Sequence, residues 1–498
     1  MIGVEVSVVS LDEWVPTISA RIRRKGWRYG HLTCRRDEEG KRRLEILLLN
    51  LTTSTSEVIS AAIPSGQADI PSITPTVPAA HWAERAVGDL WGIRADGHPA
   101  FSSVILNEAW PTDVIPFHRA ADGIPAIRNT HLLSAHGSGI HEIPVGPVHA
   151  GIIEPGHFRF TCIGEVILNL EIRHGFQHRG IENRLATTPW RLGRFLAESA
   201  SSDETVANGL AHAVALERLS ETRVPDRANS IRTISLEIER IANHIGDLGG
   251  LSADVGFAIG AATFARLRGV ALGLGQTLAG SRFQRGLICP GGLAWDIEDT
   301  RLTDLGRSLA ELTHRIHEAC ELFFTNPGIN ERYQGIGILP LASVEELGIV
   351  GPSARCAGSH YDARRHFDHA LYPGFVTNIQ PQTTGDCYAR AIIRRDEIMD
   401  SLDILSEVLK NVPKTSVLAE MPDDLAPNGI GIGIVESWRG ELIHWITTGP
   451  TGTISRYVIR DPSFQNWIGI SLAGRNNLIA DFPLINKSFS LSYAGSDL

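Results

Sequence analysis

Apolar and polar positions along the chain fall into short alternating runs, then long helical ones, then alternating runs again. The stretch 10–28 opens with SLDEW, a serine cap followed by acidic residues, and closes with the basic RIRRK. That charge order suits a helix dipole. HLTCRR and RLEILLLNLT flank the turn DEEGK and predict a hairpin feeding a small sheet. HWAERAVGDLWGI, 81–93, predicts a helix that stops at Gly92. From Pro99 to Gly151 the chain is rich in Pro, Gly and His without a steady period, and part of it is read as a domain boundary. HFRFTCIGEVILNLEIRHG then alternates like strands to about residue 174. From about 186 to 345 the period is helical. Ile231, Ile234, Ile238, Ile241 and Ile245 lie on one stripe, with Ser230 as the expected cap and the following glycines as the stop. Helical runs recur at 261–280, 301–324 and 386–412, and GIGIVESWRGELIHWITTG with ISRYVIRD returns to strands. The expected class is α+β: a small N-terminal α/β domain, 1–120, joined to a larger, mainly helical domain, 121–498, with flanking β elements.

Composition narrows the function classes. The 498 residues are 43% hydrophobic and 20% charged, enough for a substantial core. A formal charge of -10 and no basic tail argue against nucleic acid. The basic residues are nearly all Arg, which favours fixed, bidentate ion pairs. The N-terminus does not read as a secretory signal, and no apolar run approaches the ~18 residues of a spanning helix. Any membrane attachment is therefore expected through partner subunits. The six cysteines, Cys34, Cys162, Cys289, Cys320, Cys356 and Cys387, form no CxxC pair and read as free, mostly buried thiols. Gly-rich strings at 272–276 and in GIGIL and GIGIGIV lack a Walker lysine, and no G-x-S-x-G elbow is present. His131, His136, His141, His149 and His157 have neither zincin nor finger spacing; holding backbone carbonyls is the plainer reading, scattered metal ligation the other.

One polar knot interrupts an alanine-rich run, in FLAESASSDETVANGLAHAVALE. Around it, long strings carry a resemblance. IPSITPTVPAAHWAERAVGDLWGIRADGHP resembles the small hydrophilic partner of the quinone-site subunit of respiratory complex I. VGPVHAGIIEPGHFRFTCIGEVILNLEIRHGFQHRGIE resembles the start of that quinone-site subunit, and is still more similar to the large subunit of group 4 [NiFe] hydrogenases of the formate hydrogenlyase type. LEIERIANHIGDLG, GSRFQRGLICPGGL, GPSARCAGSHYDAR, ESWRGELIHW, RDPSFQNW and DFPLINKSF follow in that family's order.

The resemblance implies four cysteine positions for a nickel–iron centre. They fall here on Ser201, Glu204, Ser492 and Gly495, so all four thiols are missing. Thiolates suit Ni and Fe chemistry and these replacements do not; a Ni–Fe centre is not expected, nor any other metal. The histidine and tyrosine that hold quinone in complex I fall on Ile153 and Ser202. Quinone chemistry would need a differently lined pocket. Glu154, Asp203 and Glu204 are expected to meet His149, His178 and Arg439 in the old cavity, where carboxylates shift one another's pKa and could relay protons; plain ion pairing in a collapsed cavity is the alternative. The implied role is a hydrogenase-like subunit of a complex I-related, membrane-attached oxidoreductase complex, on the cytoplasmic side of the membrane. Implied partners are a subunit bearing a [4Fe–4S] cluster, the source of any electrons, and a membrane arm related to proton or cation antiporters. NAD, if the complex uses it, would bind elsewhere. Two alternatives stand beside this role: a quinone reductase subunit, and a non-catalytic scaffold.

Overall fold

A computed structural model describes residues 4–107, 110–111, 113–119, 122, 135–149, 153–374 and 379–498. The N-terminal sheet runs in the order β1-β4-β3-β2. Its strands are β1 (Val4–Val9), β2 (Trp27–Arg36), β3 (Arg42–Asn50) and β4 (Thr55–Ala62), with β1 parallel to β4 and the rest antiparallel. Helix α1 (Leu11–Ile22) connects β1 to β2 and starts at the expected serine cap, Ser10, which Glu13 completes into a reciprocal capping box. It buries Trp14 and Ile18 against the sheet, on the order of 2 kcal/mol each. Helix α2 (His81–Trp91) ends at Gly92, whose φ of 67° provides the left-handed cap. A short parallel pair, β5 (Asp69–Pro71) and β6 (Arg94–Asp96), completes this part.

The second part opens with an antiparallel sheet of β7 (Ile140–Val145), β8 (His157–Ile163) and β9 (Val166–Arg173). Helices α3 (Ile181–Thr187), α4 (Gly193–Ala197) and α5 (Thr205–Leu219) lead into a bundle of α6 (Asp226–Asp254), α7 (Ala258–Ala279) and α8 (Asp299–Phe324). Strands β10 (Ile288–Cys289) and β11 (Gly292–Leu293) pair in the loop before α8. The short helices α9 (Pro327–Tyr333), α10 (Leu341–Leu347) and α11 (Pro352–Arg355) precede α12 (Cys387–Lys410), which packs on α6. The meander β12 (Ile430–Ser437), β13 (Gly440–Thr448) and β14 (Ile454–Arg460) follows, and α13 (Pro462–Ala473), α14 (Phe482–Phe489) and α15 (Tyr493–Asp497) close the chain.

Helix α6 corrects one expectation. It begins four residues before Ser230, with Pro225 as N-cap, and the Ser230 hydroxyl bonds back to the Asp226 carbonyl at 2.9 Å. Nor do the glycines stop it. A Cβ on Gly246 would lie 2.8 Å from Arg268 and one on Gly249 3.2 Å from Phe264, both on α7. Those glycines let two long helices approach closely, and packing overrides their low helix propensity.

The sheets join the two parts. Leu47, Leu49 and Val58 of the first sheet share a core with Ile432, Ile434, Trp445 and Val458 of the meander. Behind the end of β12 lies a buried ionic network. Arg355 bonds Glu397 at 2.7 Å and Glu436 at 2.9 Å, and Glu397 accepts from or pairs with His244 at 2.8 Å. Arg240 donates to the carbonyls of Glu436 and Ser437 at 2.7 and 2.9 Å. Buried charges persist only when paired in this way. The network fixes where β12 ends, and so where Ser437 and Arg439 point.

Candidate functional site

The polar knot is a tight turn between α4 and α5. The first free N–H groups of α5, on Val206 and Ala207, donate to the Glu239 carboxyl at 2.7 and 3.1 Å. The Asp203 carbonyl takes the Asn243 amide at 2.7 Å and the Trp438 indole at 3.0 Å. The turn is thus held from α6 and from the loop after β12. The C-terminal segment arrives opposite it. Ser492 caps α15 by accepting from the Gly495 N–H at 2.9 Å, and its own N–H donates to Ser463 Oγ at 2.9 Å.

These two turns bring together the four positions identified in sequence. Ser201 Oγ lies 3.0 Å from Ser492 Oγ and 3.1 Å from a carboxylate oxygen of Asp203. Glu204 is fully buried; one oxygen accepts from Ser437 Oγ at 2.6 Å and the other lies 3.1 Å from Arg439. Arg439 clamps Asp203 through two bonds of 2.7 Å, donates to the Ser490 carbonyl at 2.6 Å and stacks over Trp438. One guanidinium therefore ties the first turn to the C-terminal segment. At Gly495, the space for a side chain is taken: a Cβ there would sit 2.1 Å from Asp461 Oδ2.

Electrostatics follow from this packing. Burial and the neighbouring Asp461 push the Glu204 carboxyl well above the usual range, against the pull of Arg439. Burial likewise raises Asp461. Asp203 goes the other way, because Arg439 outweighs its burial. One anion with its guanidinium, beside neutral carboxyls, is the low-cost charge state of such a pocket.

The remaining candidates divide. Glu154 accepts from the N–H groups of Tyr493 and Ala494 at 3.1 and 3.2 Å, and His178 Nδ1 contacts the Asp497 carbonyl at 2.7 Å. Both hold the backbone of the C-terminal turn and neither joins the Arg439 cluster. His149 departs from the expected cluster: its Nε2 meets the Gly156 carbonyl at 2.9 Å, within its own loop. His157 and His141 also face carbonyls, of Gly146 and Gly139, while His131 lies outside the described residues. Ile153 and Ser202 are exposed. Three important groups escaped sequence reasoning. Arg179 donates to the carbonyls of Ser199, Ala200 and Ala494 at 2.6, 2.7 and 3.1 Å, lacing both turns together. Glu239 holds the start of α5, and Asp461 fills the Gly495 space; Asp461 was visible only as part of the string RDPSFQNW.

The residues do not fit a nickel–iron centre. The four positions offer two hydroxyls, one carboxyl and no side chain, with Arg439 pointing among them, whereas soft thiolates are what Ni and Fe require. Among the described residues, no three His, Cys, Asp or Glu side chains are arranged to hold a metal ion. All six cysteines are buried and free, and none stands at these positions. Among the described residues no helix is long and apolar enough to cross a membrane.

Comparison with known proteins agrees with the fold. The family "Respiratory-chain NADH dehydrogenase, 30 Kd subunit" matches residues 8–123, and "Respiratory-chain NADH dehydrogenase, 49 Kd subunit" matches residues 254–428. Hydrogenase-4 component G of Escherichia coli is 32% identical over 88% of this chain and 78% of its own. Formate hydrogenlyase subunit 5 of the same organism is 28% identical over 91% and 81%. An NADH-quinone oxidoreductase subunit of Nitrosospira multiformis is 25% identical over 90% and 82%. Among solved structures, a chain of the archaeal membrane-bound sulfane sulfur reductase superposes with a TM-score of 0.68 at 24% identity, covering 73% of this chain and all of that one. The chain belongs to the group 4 hydrogenase large-subunit family, in the fused form that joins the complex I 30 Kd and 49 Kd modules in one polypeptide.

Proposed function

We propose that this chain is a hydrogenase-like large subunit of a membrane-attached, complex I-related oxidoreductase complex, working without a nickel–iron centre. One observation carries the reading. The four ligand positions are closed upon themselves, by the Ser201–Ser492 contact, the Arg439 clamp and the Asp461 carboxyl seated beside Gly495. Arg439 and retained protons supply the positive charge that a metal would bring. Such a site has no soft ligand for hydrogen activation, and its dense hydrogen bonding suits a rigid coupling element between neighbouring subunits. The family resemblance supports a [4Fe–4S] subunit as one neighbour, an antiporter-related membrane arm as another, and a peripheral position on the cytoplasmic face. Quinone reduction is the less favoured reading, since Ile153 and Ser202 offer neither imidazole nor phenol where complex I binds its headgroup.

Affinity purification of the tagged chain from native membranes tests this. An Fe–S protein with a reducible cluster signal in electron paramagnetic resonance, together with integral membrane proteins, should co-purify, and hydrogen uptake should be absent. A chain that purifies alone, or a complex that oxidises hydrogen, overturns the reading.

A further inference from the structure

A cationic pocket of about 230 Å³ lies in the seam between the N-terminal sheet and the second part of the chain, lined by Arg35, Arg36, Phe117, Arg119, Asn183 and Arg456. Three of these four arginines are ion-paired. Arg35 pairs with Glu45 at 2.7 Å, Arg456 with Glu182 at 2.8 Å, and Arg36 with Asp122 through bonds of 2.8 and 3.0 Å, its other terminal N–H groups going to the Gly40 and Phe117 carbonyls at 2.9 and 2.8 Å. Arg42, which is buried, acts on Asp122 as well and helps hold its carboxyl down at about 2. Among the described residues, the pocket and its immediate surroundings thus set five guanidiniums, of Arg35, Arg36, Arg42, Arg119 and Arg456, against the carboxylates of Glu45, Asp122 and Glu182, in a protein whose formal charge is -10.

Two of these groups have unused donors. Arg119 is exposed and makes no ion pair among the described residues, and its backbone N–H already anchors it to Asp122 at 2.9 Å. Arg456 is 8% exposed, and its buried Nε has no hydrogen-bond partner among the described residues. A buried guanidinium N–H without an acceptor is costly, and the planar fork of Arg matches tetrahedral oxyanions. We infer that this pocket binds a small phosphate-bearing anion between Arg119 and Arg456, with Arg36, whose terminal N–H groups are already taken, lending charge alone and Glu182 as the internal anion that competes for Arg456.

Isothermal titration of the purified full-length chain, at constant ionic strength, tests the site with inorganic phosphate and glycerol 3-phosphate. Sedimentation with phosphatidylglycerol vesicles, against phosphatidylcholine vesicles, tests a lipid headgroup as the source. Saturable binding is expected, weakened about tenfold in Arg119→Ala, since a charge-assisted hydrogen bond is lost. Glu182→Gln should tighten it by freeing Arg456, and Arg307→Ala, a remote exposed site, should leave it unchanged. Binding of the free anions alone assigns a soluble phosphate; binding of phosphatidylglycerol vesicles lost in Arg119→Ala assigns a headgroup. Either supports the site. The inference fails if none of the three probes binds saturably, or if Arg119→Ala and Glu182→Gln leave the affinity unchanged.

Discussion

Replacing Arg439 by Ala removes the cation that ties the Asp203 carboxylate to the C-terminal segment. The side chain is nearly buried and would give up both bonds to Asp203, the bond to the Ser490 carbonyl and its stacking on Trp438. Breaking a buried pair by deleting one partner costs about 3–5 kcal/mol, because the other charge is stranded. Asp203 is about one-third exposed at 31% and can regain some water, so the lower end, about 3 kcal/mol, is expected. Hydrogen exchange read by mass spectrometry localises the effect. If the loss falls on local opening, peptides covering 199–207 and 488–498 should exchange faster by roughly a hundredfold, since each 1.4 kcal/mol is a factor of ten. Peptides of α8 should be unchanged. Adding Asp203→Asn to Arg439→Ala should recover part of the protection, because the stranded anion is removed. Exchange in both segments within a few-fold of wild type would refute the clamp.

Four further outcomes follow from the same geometry. Gly495→Ala should destabilise by about 1–3 kcal/mol, because its Cβ meets Asp461, and should cost much less when introduced into Asp461→Ala, which itself loses the α13 N-cap bond to the Ser463 N–H; urea midpoints of the single and double variants decide it. Burial lifts the Glu239 carboxyl to about 8 against the Val206 and Ala207 bonds, so in the folded chain it keeps a proton that the unfolded chain loses near its ordinary value. Its contribution is therefore full at acid pH and declines as pH rises to about 8, by roughly 4 kcal/mol, and Glu239→Gln should lack that decline in urea unfolding between pH 5 and 9. His149→Ala should change stability by less than about 1 kcal/mol, since its ring holds one carbonyl of its own loop, whereas Arg179→Ala should accelerate exchange in both turns.

Sequence reasoning found what local chemistry encodes. The Ser10 cap with its following acidic residues, the β2–β3 hairpin and the Gly92 stop are each written in adjacent residues, and each appears where its motif lies. Helix α6 shows the limit: Ser230 has the chemistry of a cap, but its hydroxyl finds a carbonyl within the helix, and the glycines read as a stop serve packing against α7. At the site, the four ligand positions could be aligned from the strings around them, and Arg439 could be nominated with Asp203 and Glu204. Asp461 could not, because its role depends on the missing side chain at Gly495, on a different helix. Arg179 and Glu239 act on backbone groups of distant turns, and such partners leave no periodicity or spacing to read.

Metal analysis of the purified native complex, with hydrogen oxidation assayed on the same sample, decides whether the four altered ligand positions hold a metal. Ser201, Glu204, Ser492 and Gly495 predict no nickel in stoichiometric amount with this chain, and no hydrogen oxidation. One nickel per chain, with hydrogen activity, would mean that a working centre forms without the four thiolates.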